Sequence, residues 1–324
     1  MRPHLHRRSI LAGLAAVAAP SIARAQAFEG KTVTMIVPFP AGGGTDVVAR
    51  VLADRLSAAT KGRFVVENRP GGGGSIGYMA AVRAPADGST VMLTSSAINT
   101  MPFLYPTRGY DPKAELTPVS LIGSGPSLVC VGPHVPVKTL KELIDLAKAK
   151  PGELTYASAG IGSSLHLSAE LFKKLAGVDI KHVPYKGAAL ATEDLLGGRV
   201  DMIVDILTSV RPLVEDGKLR ALPITTKERS KLVPDYPPVA ETVPGYEFAA
   251  WFGLYLPAKA PPGMAEQLQA AVASVLAAPE VKERYATLGL EPVGSTPAEF
   301  QAFMAADLDK WGRIVKELGI TAEG

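Results

Sequence analysis

Two short glycine-rich segments hold the residues of this 324-residue chain best suited to chemistry. Ala41-Gly42-Gly43-Gly44-Thr45 and Ala159-Gly160-Ile161-Gly162-Ser163 share the pattern Ala-Gly-x-Gly-hydroxyl, 118 positions apart. Each follows a β-branched run and precedes apolar residues at helical spacing, so each reads as a strand-to-helix turn. The start of a helix leaves backbone N–H groups unpaired and carries a partial positive charge. Glycines there let a ligand come close to the backbone. Two such ends aimed at one cleft make an anion site without any Lys or Arg. The hydroxyls of Thr45, Ser163 and Ser164 can cap or donate. Asp46 adds negative charge beside that site, so its expected task is to hold the loop or a bridging water.

Other chemistries fit less well. A phosphate-binding P-loop needs Gly-x-x-x-x-Gly-Lys-Ser/Thr, and neither loop has that Lys. Gly42 and Gly44 begin a dinucleotide fingerprint that fails at Val47, and Gly71, Gly73, Gly74 and Gly77 are spaced wrongly for one. Ser163 with His166 three residues on suggests a nucleophile and base, but no Gly-x-Ser-x-Gly elbow surrounds Ser163 or Ser164. His166 reads rather as a helix-face packing or hydrogen-bonding residue. Beyond the N-terminal segment only His134, His166 and His182 occur, with no His-x-x-x-His pair, so neither a metal nor a cofactor is expected. Phe39 packs on a ligand or covers the hinge, Trp251 and Phe252 read as core, and Lys186 as an exposed lysine. Cys130, the single cysteine, lies in an apolar run and reads as a buried strand thiol.

The elements that must position the two loops alternate along the chain. Strands are expected at Thr32 to Val37, Arg63 to Glu67, Val91 to Ser95, Leu154 to Ala157, Lys181 to Pro184, Val200 to Asp205, Arg220 to Ile224 and Ala250 to Leu256. Helical patterns lie between them, which indicates an α/β chain with mainly parallel sheets. The apolar run Val119 to Val131, broken by Gly123-Ser124-Gly125-Pro126, is suited to cross from one domain to another. A Pro-rich passage from Val233 to Pro244 interrupts the alternation, and three helices separated at Pro279 and Pro297 fill the last sixty or so residues.

Position matters more than the bulk charge of +3. Residues 1–26 hold Arg2, Arg7, Arg8 and Arg24 and no acid, and without them 30 Lys+Arg face 31 Asp+Glu. That balance of −1 removes the case for a nucleic-acid partner. Residues 1–27 read as a signal peptide: a basic start, an apolar run from Ile10 to Ala19 too short to span a bilayer, Pro20, and small residues at the cut. Cleavage falls after Ala25 or after Ala27. Arg7-Arg8 resembles a twin-arginine signal, with general secretory export the other route. No later run of about 18 apolar residues occurs, so the expected mature protein is a soluble periplasmic one.

Several motifs in fixed order resemble the substrate-binding proteins of tripartite tricarboxylate transporters, the Bug family. They are Val37-Pro38-Phe39-Pro40-Ala41-Gly42-Gly43-Gly44-Thr45-Asp46, Val66-Glu67-Asn68-Arg69-Pro70-Gly71, Ser158 to Leu167, His182 to Gly187, Asp194 to Gly198 with Val200-Asp201, Gly217 to Leu222, Trp251-Phe252-Gly253 and Glu291 to Pro297. The resemblance implies a two-domain, type II-like periplasmic binding-protein fold with the ligand cleft between domains. Domain 1 would comprise residues 28–126 plus 226–324, and domain 2 residues 127–225. It further implies a small organic carboxylate held by Phe39, Ala41, Gly42, Gly43, Gly44, Thr45 and Asp46, with Gly162, Ser163 and Ser164 opposite. Ser95 and Asp205 at strand ends complete the implied set. The chain departs from the family at Ile161 and at Ile206-Leu207-Thr208, which shifts the expected ligand towards something less polar.

The function expected is a monomeric periplasmic receptor that closes on a carboxylate and delivers it to integral membrane permease subunits. Two alternatives remain: a ligand-presenting sensor for a membrane kinase, and an exported hydrolase using Ser163 and His166.

Overall fold

The computed structural model describes residues 28–105 and 111–319; the leader expected over residues 1–27 and its cleavage sites lie outside them. The first half of the chain forms β1 (Thr32–Val37), α1 (Gly44–Thr60), β2 (Arg63–Asn68), α2 (Ser75–Val82), β3 (Thr90–Ser95), and the short α3 (Met101–Leu104) and α4 (Pro112–Glu115). Next come β4 (Leu116–Gly125), β5 (Ser127–Val131), α5 (Leu140–Ala149), β6 (Thr155–Ser158), α6 (Ser164–Ala176), β7 (Lys181–Pro184) and α7 (Ala188–Leu196). After these follow β8 (Met202–Ile206), α8 (Leu207–Glu215), β9 (Arg220–Ile224), β10 (Ala250–Pro257), α9 (Met264–Ala277), α10 (Pro279–Thr287), β11 (Glu291–Pro292) and α11 (Pro297–Leu318).

These strands build two sheets, ordered β11-β4-β10-β3-β1-β2 and β7-β6-β8-β5-β9. Helices α1, α2, α9 and α11 pack on the first, and α6, α7 and α8 on the second. The sheets are mixed, not mainly parallel as the alternation predicted. The pairs β1–β2, β1–β3, β6–β7 and β6–β8 are parallel, each closed by a helical crossover. The pairs β3–β10, β4–β10, β4–β11, β5–β8 and β5–β9 are antiparallel. β5 and β10, which enter from the other lobe and make four of these five pairs, have no crossover helix to impose a parallel direction, and periodicity along the chain does not record that.

The chain passes between lobes twice. β4 runs through Pro126 directly into β5, so one extended stretch belongs to both sheets. The return leaves β9, runs over residues 225–249 and enters β10. The two crossings are tied together where they meet: Ser127 N–H donates to Thr225 Oγ1 at 2.9 Å, and Thr225 N–H donates to the Ser127 carbonyl at 3.0 Å. Phe248 N–H donates to the Thr225 carbonyl at 2.9 Å. Thr225 itself is fully buried.

Local sequence explains the helix ends. The two expected prolines mark starts more than breaks, since Pro279 and Pro297 each occupy a first-turn position, where a missing N–H costs nothing. Thr296 and Glu299 close a reciprocal capping box on α11. On α1, Val48, Leu52 and Leu56 are buried together with Val33, Met35 and Val37 of β1, which seats the helix on the sheet. Trp251, Phe252 and Cys130 are buried core residues, as expected. Among the described residues no helix is long and apolar enough to cross a membrane.

Candidate functional site

β1 ends at Val37, and the loop that follows delivers the start of α1 to the space between the lobes. The N-cap, Gly43, offers no side-chain cap, so the first-turn N–H groups keep their donor capacity. The loop is shaped by Asp46 from behind. Its Oδ2 accepts from Gly42 N–H at 2.9 Å and from Arg50 Nε at 2.9 Å, and its Oδ1 accepts from Asn68 Nδ2 at 2.9 Å. Asn68 Nδ2 also donates to the Phe39 carbonyl at 3.0 Å. Burial raises the Asp46 carboxyl, and the bonds from Arg50, Gly42 and Asn68 outweigh it, holding the group below the usual aspartate value. Asp46 therefore serves the loop, and Gly42, at φ +83, makes the left-handed turn that brings its N–H to it.

The second loop, between β6 and α6, has a similar outline and different fastenings. Ser163 caps α6, its Oγ accepting from His166 N–H at 3.3 Å. Gly162 N–H donates to His166 Nδ1 at 3.2 Å, and Gly160 N–H donates to Ser158 Oγ at 3.1 Å. Ser158 Oγ in turn pairs with His182 Nε2 at 2.6 Å. The rings of Tyr156, His182 and His166 stack at centroid distances of 4.7 and 4.3 Å. Burial lowers His166 to about 4, aided by the charge of Lys173. Burial also lowers His182 to about 3, aided by His166 and Lys173 and opposed by Glu170. Both imidazoles are thus neutral at ordinary pH, which leaves His166 Nδ1 free to accept.

The two loops face a cavity with about 40 Å³ in which the centre of a water molecule fits, several times the roughly 10–15 Å³ that one water needs. Of the residues singled out by sequence, Phe39, Ala41, Gly43, Gly44, Thr45, Ser95, Ser163, Ser164 and Asp205 line it. Gly42, Asp46 and Gly162 do not; they shape the loops behind the wall. Sequence reasoning missed Gly187 to Ala189 and Ser209 as lining residues; they line the cavity together with Ile206, which it had singled out only as a departure from the family. These are the starts of α7 and α8, so four helix N-termini converge where two were expected. Gly187, at φ +129 between a strand and a helix, was the available signal. Asn68 was missed as well, although its motif was read. Among the described residues no Lys or Arg lines the cavity. Of the two departures from the family, Ile206 lines it and Ile161 does not. A neighbouring chamber of about 250 Å³ shares Phe39, Pro40 and Ala159, and has Tyr185 and Lys186 on its wall.

The lobes touch around this cavity through glycines. A methyl group on Gly44 would overlap Ile206 Cδ1, and one on Gly187 would stand 2.7 Å from Pro40 Cγ. Thr100 Oγ1 donates across the cleft to the Gly162 carbonyl at 3.1 Å.

Two sheets joined by paired crossings, with helix N-termini turned into the space between them, define a two-lobed binding protein of the periplasmic type. The chain belongs to the tripartite tricarboxylate transporter receptor family, whose model matches residues 48–320. It is 37% identical to the protein BugT of Bordetella pertussis, over 96% of this chain and 95% of that one. Among solved structures, Rpa4515 of R. palustris with adipate aligns with a TM-score of 0.87 at 39% identity, covering 90% of this chain and 98% of that one. MatC (Rpa3494) of Rhodopseudomonas palustris with bound malate aligns at 0.83 and 31% identity, over 88% and 99%.

Proposed function

We propose that this receptor is exported to the periplasm by its N-terminal segment, binds a small organic carboxylate between its lobes, and delivers it as a monomer to integral membrane permease subunits. The convergence of four helix N-termini on a cavity whose described lining has no Lys or Arg carries the reading, because that arrangement holds an anion through backbone N–H groups. The adipate and malate bound by similar structures support carboxylate as the ligand class. The ligand contacts would come from Ala41 and Gly43 to Thr45, from Ser163 and Ser164, and from Ser95, Phe39 and Asp205, with Gly42, Asp46 and Gly162 holding the loops. Domain 1 would be residues 28–126 plus 226–324 and domain 2 residues 127–225, a division supported by the two sheets and their crossings. Ligand binding to both lobes favours the closed arrangement, and that differential affinity drives closure.

The receptor reading is also supported against the hydrolase alternative. His166 turns Nδ1 to the Gly162 N–H and stacks on His182, so its ring is committed to the loop and not to the Ser163 hydroxyl. A thermal-shift screen of adipate, malate, succinate and benzoate, followed by calorimetry, tests the proposal. Stabilisation by at least one carboxylate, recovered unchanged afterwards, is expected. No binding by any of the four, or turnover lost in Ser163→Ala, overturns it.

A further inference from the structure

The proposed ligand shares its cavity with a carboxyl group of the protein. Asp205, next to last in β8, lines the cavity and is fully buried. Its Oδ1 accepts from Ile206 N–H at 2.7 Å, while Oδ2 has no hydrogen-bond partner within the protein. Ser209, which also lines the cavity, stands close enough to this carboxyl to favour its charged form, but its Oγ makes no hydrogen bond of ordinary geometry to it. A buried polar atom left without a partner is costly, and one lining a binding cavity points to a partner on the ligand.

The surroundings decide which partner. Leu128 of β5 stands opposite Asp205, and β5 also brings Cys130, whose thiol burial and the Asp205 charge keep protonated. From β6 and α6 come Tyr156 and Lys173, both bound to Glu170, together with the neutral His166. On α7, Asp194 is bound by Tyr185 and Arg199. Arg211 and Glu215 of α8 pair with each other, and His134 pairs with Asp201 beyond the opposite end of β8. Across the cavity, Asp46 is taken up by Arg50 and Asn68. Among the described residues lining the cavity there is no Lys or Arg to neutralise an ionised Asp205. Burial lifts its carboxyl to about 7, with the Ile206 N–H and the Ser209 hydroxyl pulling the other way. A second carboxylate entering the same buried space lifts it further, since like charges disfavour each other.

We propose that Asp205 is a specificity-determining residue that meets the ligand as the uncharged acid, donating its Oδ2 hydrogen to a ligand oxygen, so that each carboxylate bound near neutral pH brings a proton with it. The carboxylate releases nothing: the proton comes from solvent, settles on Asp205 and leaves with the ligand. This rests on the receptor reading and adds to it a preference for ligands presenting an acceptor at that point, whether a carboxylate oxygen or a carbonyl.

Calorimetry on the mature chain tests it, using adipate, malate, succinate and benzoate in two buffers of different ionisation enthalpy. Between pH 7 and 8.5 the binding heat should report uptake of up to one proton, and affinity should fall by about tenfold per pH unit once Asp205 is ionised in the free protein. Asp205→Asn keeps a donor at the same place, so it should bind nearly as the wild type does at pH 6, with proton uptake and pH dependence gone. Asp205→Ala should bind at least tenfold more weakly. His166 and His182 titrate too far below this range to imitate the effect. Binding heat independent of the buffer, or affinity that rises with pH and collapses in Asp205→Asn, overturns the proposal in favour of an ionised Asp205 accepting from the ligand. Buffer-dependent heat in the wild type keeps it testable should either variant fail to fold. If no probe binds the wild type, the receptor reading falls first.

Discussion

His166 and His182 make the second loop sensitive to acid at a higher pH than the first. Each imidazole is held neutral by burial, with a folded-state value near 4 or 3 against about 6.5 in the unfolded chain. Between those values the unfolded chain binds more protons, so the stabilisation is complete above pH 6.5 and is lost progressively as pH falls towards 4. On unfolding in urea at pH 5 these two imidazoles should therefore take up close to two protons, set against about one released by Asp205, and His182→Gln should lower the net uptake by about one. Asp46 behaves differently: its folded value is held below the ordinary aspartate value, so the stability it lends is present above that value and is lost only as pH falls through the lowered one. The sequence showed the repeated Ala-Gly-x-Gly-hydroxyl pattern and the need for something to hold each loop. It did not show which side chain does so in loop 2, because His182 lies 20 residues beyond Gly162 and reaches the loop only through the parallel pairing of β6 with β7. Asn68 escaped for the same reason, acting on Asp46 from the next strand.

At the scale of elements, the glycine loops have a second task beside ligand approach. A side chain at Gly44 would strike Ile206 of α8's N-cap before it met any ligand. Gly44→Ala should thus weaken adipate or malate binding about tenfold or more by keeping the lobes apart, and Ile206→Ala should restore much of the loss in the double variant. Unchanged affinity in Gly44→Ala would show that this contact does not govern closure. The α/β alternation, the crossing at Gly123 to Pro126 and the starts of α1 and α6 were all legible, because each is written in local spacing. The antiparallel half of each sheet was not, since β10 finds β3 and β4 across more than a hundred residues. The two-residue β11 carries too little pattern to be seen at all.

For the whole molecule, the paired crossings are the one covalent link between lobes, and Thr225 fastens them. Thr225→Val keeps the shape but removes the acceptor of the buried Ser127 N–H, and should lower unfolding free energy by about 1–3 kcal/mol. Urea titration reads that loss, and a change within error would mean the crossings hold without it. The position of β10 has a further consequence, in the order of assembly. The second sheet is complete once residue 224 has been made, whereas the first lacks its strand between β3 and β4 until residue 257. The lobe begun first is therefore finished last, around a partner already formed. A chain stopped at residue 249 should hold a folded second lobe beside an unfinished first one, and the step that completes β10 should be the step that creates the binding site.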